Sequence, residues 1–328
     1  MHSPPLPDDD LARRIRAAVD AGELHGVTAE PGDPEIAPLG SGESYTAWRI
    51  GSGDQARVLR IPRRPPHEMP RSMEAEFEVL RRVPPELGTS AVALETGADN
   101  PLGAPYMVTT HVPGRALRAA DWNPRLATSL AHQIARLHVA FAAGPAPSVA
   151  SVPSASEQGE ELLAWWGTHH PATLSDSRVS ALLPAWLREL TRLAPAFEAV
   201  PTHPLIHGDV VATNVILGPD GVPRLIDFEW SGPGDTAKDL ALIGGRVIGG
   251  PWYLPMTSDD VAAFVTEYSR HSRHAGAIDP QQLLERRDAY ELLDRMGNLL
   301  YCLSRPGEAR YGMWADEIAR NLTDRLAD

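Results

Sequence analysis

The sequence predicts an α+β chain of two lobes, a small mixed β-sheet lobe followed by a larger, mainly helical one. Two observations carry that prediction. Residues 36 to 112 alternate short apolar runs with Gly/Pro turns around one amphipathic stretch, in the order β-β-α-β. From about 115 onward the apolar residues recur at helical spacing, interrupted by one embedded hairpin. A chain of 328 residues suffices for two cores, and 43% hydrophobic with 22% charged residues is an ordinary globular composition.

Taken in order, Leu11, Ile15 and Val19 recur at helical spacing after the acids Asp8, Asp9 and Asp10, and Gly22 ends that helix. Two strands follow, joined by Gly51-Ser52-Gly53-Asp54, with Gly40-Ser41-Gly42 in a strand-turn-strand setting before them. Met73, Phe77 and Leu80 mark one face of a helix. A further strand around Tyr106 stops at Pro113-Gly114, so residues 1–112 read as the first lobe and 113–328 as the second. There, Leu126, Leu130, Ile134 and Leu137 define a helix. The Pro/Ser/Ala-rich run from Gly144 to Glu161 reads as an exposed loop. Helices near 161–168 and 178–198 lead to the hairpin, and others near 259–272, 280–303 and 308–327 close the chain.

Composition narrows the function. A net charge of -13, from 43 acidic against 30 basic residues, is the wrong sign for a nucleic-acid backbone; it would draw in cations, though such a charge more often reflects solubility. Cys302 is the only cysteine, which rules out an internal disulfide and a cysteine-rich zinc site. No signal-peptide pattern opens the chain and no apolar run is long enough for a membrane span, so a cytoplasmic setting without membrane attachment is expected.

The chemistry concentrates between Leu205 and Trp230. Pro219, Asp220 and Gly221 form a turn between two apolar runs, yet those runs are broken at Asp209, Asn214 and Asp227. Each alone reads as a turn or cap residue. Together they read differently, because the hairpin brings Asn214 and Asp227 toward one end, with Asp209 on the loop before it. Buried acids are costly unless paired or bound to a cation, and carboxylate and amide oxygens suit Mg²⁺.

The order Asp209, Asn214, Asp227-Phe228 resembles the phosphoryl-transfer layout of protein kinases. In its His207-Gly208-Asp209 and Asp227-Phe228-Glu229 forms, and in Gly234-Asp235 followed by Asp239-Leu240-Ala241, the chain resembles the aminoglycoside/macrolide-type antibiotic phosphotransferases. The resemblance covers residues 36 to 305. It implies a protein-kinase-like fold and a cleft in which Asp209 is the base or orienting group for a substrate hydroxyl. Asn214 and Asp227 would hold Mg²⁺ on the phosphates of ATP or GTP. His207, Asp235 and Asp239 would fix the loop, and His138 would be a packed helix residue.

Upstream, the resemblance implies a phosphate cradle at Gly40, Ser41 and Gly42 and a cation at Arg60, where kinases carry lysine. Strand alternation puts Val58 and Arg60 on one side. Glu76 is the expected carboxylate partner of Arg60, with Glu74 as the fallback. The purine edge would meet backbone groups around Thr109, Thr110, His111 and Val112. Asp288, Glu291 and Asp294 share a helix face where the family places part of its acceptor site; they read either as ammonium ligands or as a solvated face paired with Arg286, Arg287 and Arg295. Trp165-Trp166 and Trp252-Tyr253 are either flat walls for an acceptor or core residues.

The function implied is Mg²⁺-dependent transfer of a γ-phosphoryl group to a hydroxyl of a cationic antibiotic, giving resistance. Aminoglycosides come first, with cyclic peptide antibiotics or macrolides close behind. The alternatives are a metabolic kinase of the same fold, acting on choline, homoserine or a sugar, and a nucleotide-binding regulatory protein without turnover. The sequence leaves the oligomeric state open.

Overall fold

Between Ile36 and Pro62 the chain folds into three strands where the sequence predicts two. β1 (Ile36–Ser41), β2 (Tyr45–Ile50) and β3 (Arg57–Pro62) join β4 (Ala91–Glu95) and β5 (Tyr106–Thr110) in a sheet of order β1-β2-β3-β5-β4. Every neighbouring pair is antiparallel. β1 escapes the sequence pattern because it carries Pro38 and Gly40; as an edge strand with a register shift between them it tolerates both. β4 escapes because its alanines are weak strand formers. This computed structural model describes residues 8–28, 34–142, 151–272 and 279–327.

Alternation along β3 decides what each sheet face does. Leu59 and Ile61 are buried with Trp48, Tyr106 and Val108 against α1 (Asp8–Asp20), whose Leu11, Ile15 and Val19 form the expected stripe. Arg60 therefore projects from the opposite face. That face receives α2 (Met73–Leu80), which begins where the Ser72 side chain accepts the Ala75 N–H at 3.2 Å. The buried residues of α2 are Glu76, Val79 and Leu80, so its inward face is rotated from the expected Met73-Phe77-Leu80 line and includes a carboxylate.

Contacts divide the chain into two units, Met1–Gly114 with Arg224–Ser231, and Arg115–Pro223 with Gly232–Asp328. The first unit thus contains a segment far downstream of the boundary read from sequence. Backbone pairing explains it: Leu225 N–H donates to the Leu87 carbonyl at 2.8 Å, and Thr89 N–H donates to the Leu225 carbonyl at 3.0 Å. Gly88 lies so close that a Cβ would stand 2.2 Å from the Leu225 carbonyl oxygen. Gly88→Ala is accordingly expected to destabilise the protein by ~2 kcal/mol or more, as strained backbone substitutions do; an unchanged urea midpoint would contradict this packing.

The second unit contains β6 (Arg115–Ala116), α3 (Pro124–Ala142), α4 (Ala155–His169), α5 (Pro171–Leu174), α6 (Ser177–Leu193), β7 (His203–Ile206) and β8 (Val215–Leu217). The chain then passes through β9 (Pro223–Leu225) and returns with β10 (Gly232–Gly234), α7 (Thr236–Leu242), β11 (Gly244–Gly245), β12 (Leu254–Pro255), α8 (Ser258–His271), α9 (Pro280–Leu303) and α10 (Ala309–Ala327). Leu126, Leu130, Ile134 and Leu137 of α3 are all buried, as their spacing requires. α9 is the central helix, packing on α4, α6, α7 and α10. Trp186 of α6 is fully buried and donates its indole N–H to the Leu292 carbonyl at 2.9 Å.

Two expectations need correction. The Gly144 to Glu161 loop is helix from Ala155 onward. Ser154 caps that helix, accepting the Glu157 N–H while the Glu157 carboxylate takes the Ser154 N–H, and the lack of a side chain at Gly159 admits Trp186 and Leu190. Residues 143–150 of that run lie outside the described residues. The hairpin strands are shorter than expected: Asn214 sits on a turn of 3-10 helix before β8, and Asp227 lies beyond β9. Polar side chains thus end the strands and are not carried on them. No helix among the described residues is long and apolar enough to cross a membrane, and Cys302 is buried.

Candidate active site

In the first unit the opposite face of the sheet carries a buried charge cluster. The Arg60 guanidinium pairs with Glu76 and, through Nη2, with Asp227 Oδ1 at 2.7 Å. It also stacks over the Tyr45 ring, 4.1 Å from the centroid, while the Tyr45 hydroxyl donates to Glu76 Oε2 at 3.0 Å. Burial disfavours the charged guanidinium, but the carboxylates of Glu76 and then Asp227 outweigh it and hold the arginine protonated. Glu74, the fallback, is exposed on α2 and makes no such contact. Arg60→Met would leave the carboxylates of Glu76 and Asp227 without their cation, so a loss of about 3–5 kcal/mol is expected. Adding Glu76→Leu should recover part of that loss; additive losses would contradict the pairing.

Asp227 adopts φ 65°, a left-handed conformation that costs energy in a non-glycine residue and aims its carboxylate at Arg60. Two residues on, Glu229 is half-buried. Burial, then the adjacent Asp227 charge, push its carboxyl up to about 7. Its Oε2 is buried without a hydrogen-bond partner.

The glycine-rich turn lies at the edge of the same sheet. Gly40 has φ 146°, and a Cβ there would meet nothing within 4 Å, so the backbone is open to approach. Gly42 N–H is already bonded to the Tyr45 carbonyl at 2.9 Å, and the Ser41 hydroxyl lies 3.3 Å from that of Thr46. At the end of β5, Thr110 N–H donates to the Ser90 carbonyl, Thr89 donates to the Thr110 carbonyl, and His111 N–H donates to the Ala56 carbonyl. Much of the Thr110-His111 backbone is therefore committed within the unit. Burial and then Arg49 lower the His111 pKa, which keeps its ring neutral.

In the second unit, Asn214 Nδ2 donates to Asp209 Oδ2 at 2.7 Å and to the Asp209 carbonyl at 3.1 Å, which orients the amide with Oδ1 as its remaining acceptor. The loop entering Asp209 is held from beneath. Asp239, wholly buried, accepts the His207 N–H at Oδ2 and the Gly208 N–H at Oδ1, both at 2.8 Å. His138 lies 2.8 Å from Asp239 Oδ2 through Nε2 and 2.8 Å from the Tyr268 hydroxyl through Nδ1. Asp235 caps α7 and pairs with Arg286 at 2.7 Å. His207 Nδ1 accepts the Asp209 N–H at 3.3 Å.

The acidic triplet of α9 does not present three open carboxylates. Glu291 is buried, paired with Arg287 and accepting the Val247 N–H at 2.8 Å. Asp288 pairs with Arg287 at 3.0 Å and Arg325 at 3.5 Å. Asp294 pairs with Arg295 at 2.5 Å, accepts the Tyr253 hydroxyl at 2.7 Å and lines a cavity of 390 Å³ together with Trp166, Tyr290 and Tyr301. Sequence reasoning overlooked Tyr253 as a polar link: burial, then the charges of Asp294 and Asp209, raise its pKa. It also overlooked Tyr45 and Asn298, which nothing in their local pattern singles out.

Comparison with known proteins identifies the family. The model of the phosphotransferase enzyme family APH matches residues 35–284. A viomycin phosphotransferase from Streptomyces vinaceus is 31% identical over 186 residues, which cover 51% of this chain and 61% of that protein, so the match spans under two thirds of its length. The GDP complex of aminoglycoside 2'-phosphotransferase-IIIa superposes with a TM-score of 0.64 at 17% identity, covering 98% of this chain and 99% of that one. A choline kinase from Cryptosporidium parvum superposes with a TM-score of 0.59 at 13% identity, covering 90% of this chain and 89% of that one. The two lobes described above are those of a protein-kinase-like architecture, and the chain belongs to the APH phosphotransferase enzyme family.

Proposed function

We propose that the protein transfers the γ-phosphoryl group of ATP or GTP to a hydroxyl of a small antibiotic, with Mg²⁺ as cofactor, and so confers resistance. The observation that supports this most is the buried Arg60–Glu76 pair extended to Asp227, which fixes a guanidinium and a carboxylate on one rigid sheet face. Nothing in packing alone calls for an arginine and two acids there, because an apolar trio would cost less.

The residues fit the metal. Asp227 of the first unit would offer a carboxylate and Asn214 of the second its Oδ1, both oxygen donors, and within the first unit Glu229 Oε2 is a buried oxygen without a partner. Among the described residues no group of three His, Cys, Asp or Glu could hold a metal. Mg²⁺ takes few protein ligands and fills its shell with phosphate oxygens and water. When bound, Mg²⁺ would neutralise charge on the transferring phosphates.

The protein's own groups would do the rest. Arg60 would bridge phosphate oxygens with its planar fork, as Glu76 and Tyr45 keep it from swinging. Asp209, held by Asn214, would align the acceptor hydroxyl and take its proton. The hydroxyl oxygen then forms the new bond to phosphorus as the bond to the nucleoside diphosphate breaks. The acceptor stays with the second unit, whose cavity contains Asp294.

Mass spectrometry after incubating an antibiotic panel that includes viomycin and aminoglycosides with enzyme, Mg²⁺ and either ATP or GTP tests this reading. One phosphate added to at least one compound is the expected result; nucleotide consumption without any acceptor product would overturn it. Asp227→Ala is expected to weaken Mg²⁺-nucleotide binding at least ~10-fold, about 1.4 kcal/mol, by calorimetry; unchanged affinity would remove Asp227 from the metal site.

A further inference from the structure

Of the 30 basic residues in the chain, Lys238 is the single lysine. It lies on the wall of the second-unit cavity. Its neighbours Asp235, at the cap of α7, and Asp239 are buried and committed to Arg286 and His138, and among the described residues Lys238 has no carboxylate partner. Every other basic residue is an arginine, so this wall alone carries a compact ammonium in place of a planar fork. An ammonium binds a carboxylate or carbonyl oxygen as a point charge.

Asp294 lines the same cavity. Its bonds to Tyr253, Arg295 and Asn298 all end on Oδ2, and its side chain keeps 21% of its surface exposed. One carboxylate oxygen therefore remains for an ammonium group. Asp288 and Glu291 are taken by Arg287 and Arg325, so the cavity offers a polycation one carboxylate and an opposing charge. Trp166, Tyr290 and Tyr301 complete the lining with flat surfaces.

Gly297 gives an independent sign that this space is kept open. It lies inside α9 on the cavity wall, where alanine is the better helix former. A Cβ there would meet only Leu162 Cδ1, at 3.8 Å, an ordinary contact. Packing does not demand the glycine; a larger side chain would fill the cavity.

From these contacts we infer that the cavity binds a hydroxylated, ring-bearing zwitterion of amino-acid or peptide type, its carboxylate on Lys238 and its ammonium on Asp294. This rests on the phosphotransferase reading and narrows its acceptor away from polycationic sugars. The Tyr253 hydroxyl donates to Asp294 Oδ2 and so steadies that carboxylate at the cavity wall.

The lone lysine makes the test direct. Reductive methylation with ¹³C-formaldehyde labels only Lys238 and the α-amine, and the Lys238 methyl resonance is then titrated with seryl-tyrosine, choline or kanamycin, without nucleotide. Seryl-tyrosine is expected to move the resonance, Asp294→Asn to weaken that binding at least tenfold, and Gly297→Leu, with its melting temperature maintained, to abolish it. The proposal is overturned if choline or kanamycin binds as tightly as seryl-tyrosine, if none of the three moves the resonance, or if both variants bind normally. A protein that binds seryl-tyrosine in this way but phosphorylates nothing supports the cavity assignment and overturns the catalytic one.

Discussion

Asp209→Asn is expected to lower the rate of phosphoryl transfer by about 10²–10⁴-fold, the usual contribution of a positioned general base. The fold should survive, because the Asn214 amide donates to Asp209 Oδ2 and an asparagine carbonyl can accept the same hydrogen bond. Nucleotide affinity should also survive, since the Arg60–Glu76–Asp227 cluster is untouched. The loss would therefore fall on kcat, with the nucleotide Kd held within about twofold, well under 1 kcal/mol. Single-turnover kinetics beside calorimetry separate the two, and a drop of less than about tenfold would remove Asp209 from the proton-transfer role.

The second large effect belongs to Asp239, which touches no reacting atom. Asp239→Ala would strip an acceptor from the His207 and Gly208 amides and from His138, all buried. Each unmet buried amide costs about 1–3 kcal/mol, so a total near ~4 kcal/mol is expected in urea denaturation. Activity should fall with it, as the loop carrying Asp209 loses its support. The same contacts set a pH dependence. Burial works to raise the Asp239 pKa, but the His138 hydrogen bond and charge, then His207 and the Gly208 amide, outweigh it and hold the carboxyl below the usual aspartate range. The folded state thus binds this proton less readily than the unfolded chain. The contribution of Asp239 is complete above about pH 3.9 and is lost as pH falls through the depressed folded value. The stability gap between the parent protein and Asp239→Asn should close in acid; a constant gap from pH 7 to pH 3 would contradict the linkage.

What was legible in the sequence depended on how local the cause is. The α3 stripe and the Leu11-Ile15-Val19 stripe could be read because burial at helical spacing leaves a periodic trace. Glu76 over Glu74 as the partner of Arg60 was also within reach, since strand alternation fixes which way Arg60 points. The first turns of α4 were read as loop by weighting Pro, Ser and Ala, although the Ser154/Glu157 capping box stands in plain view. The state of the α9 acids was half-readable. Arg287 and Glu291 pair one helical turn apart, but Arg325 comes from α10 and only the tertiary fold brings it to Asp288. No local pattern could place Leu225 beside Leu87 and Thr89, because that pairing joins residues far apart in the chain.

That last pairing bears on how the polypeptide is made. Because Arg224–Ser231 completes the first unit, its sheet-bearing part remains unfinished on the ribosome until residue 231 has left the exit tunnel. Vectorial synthesis, which normally lets an N-terminal module mature before its successor, cannot do so here. A fragment ending at Gly114 would lack Asp227 and leave the backbone of Leu87 to Thr89 without its native mate.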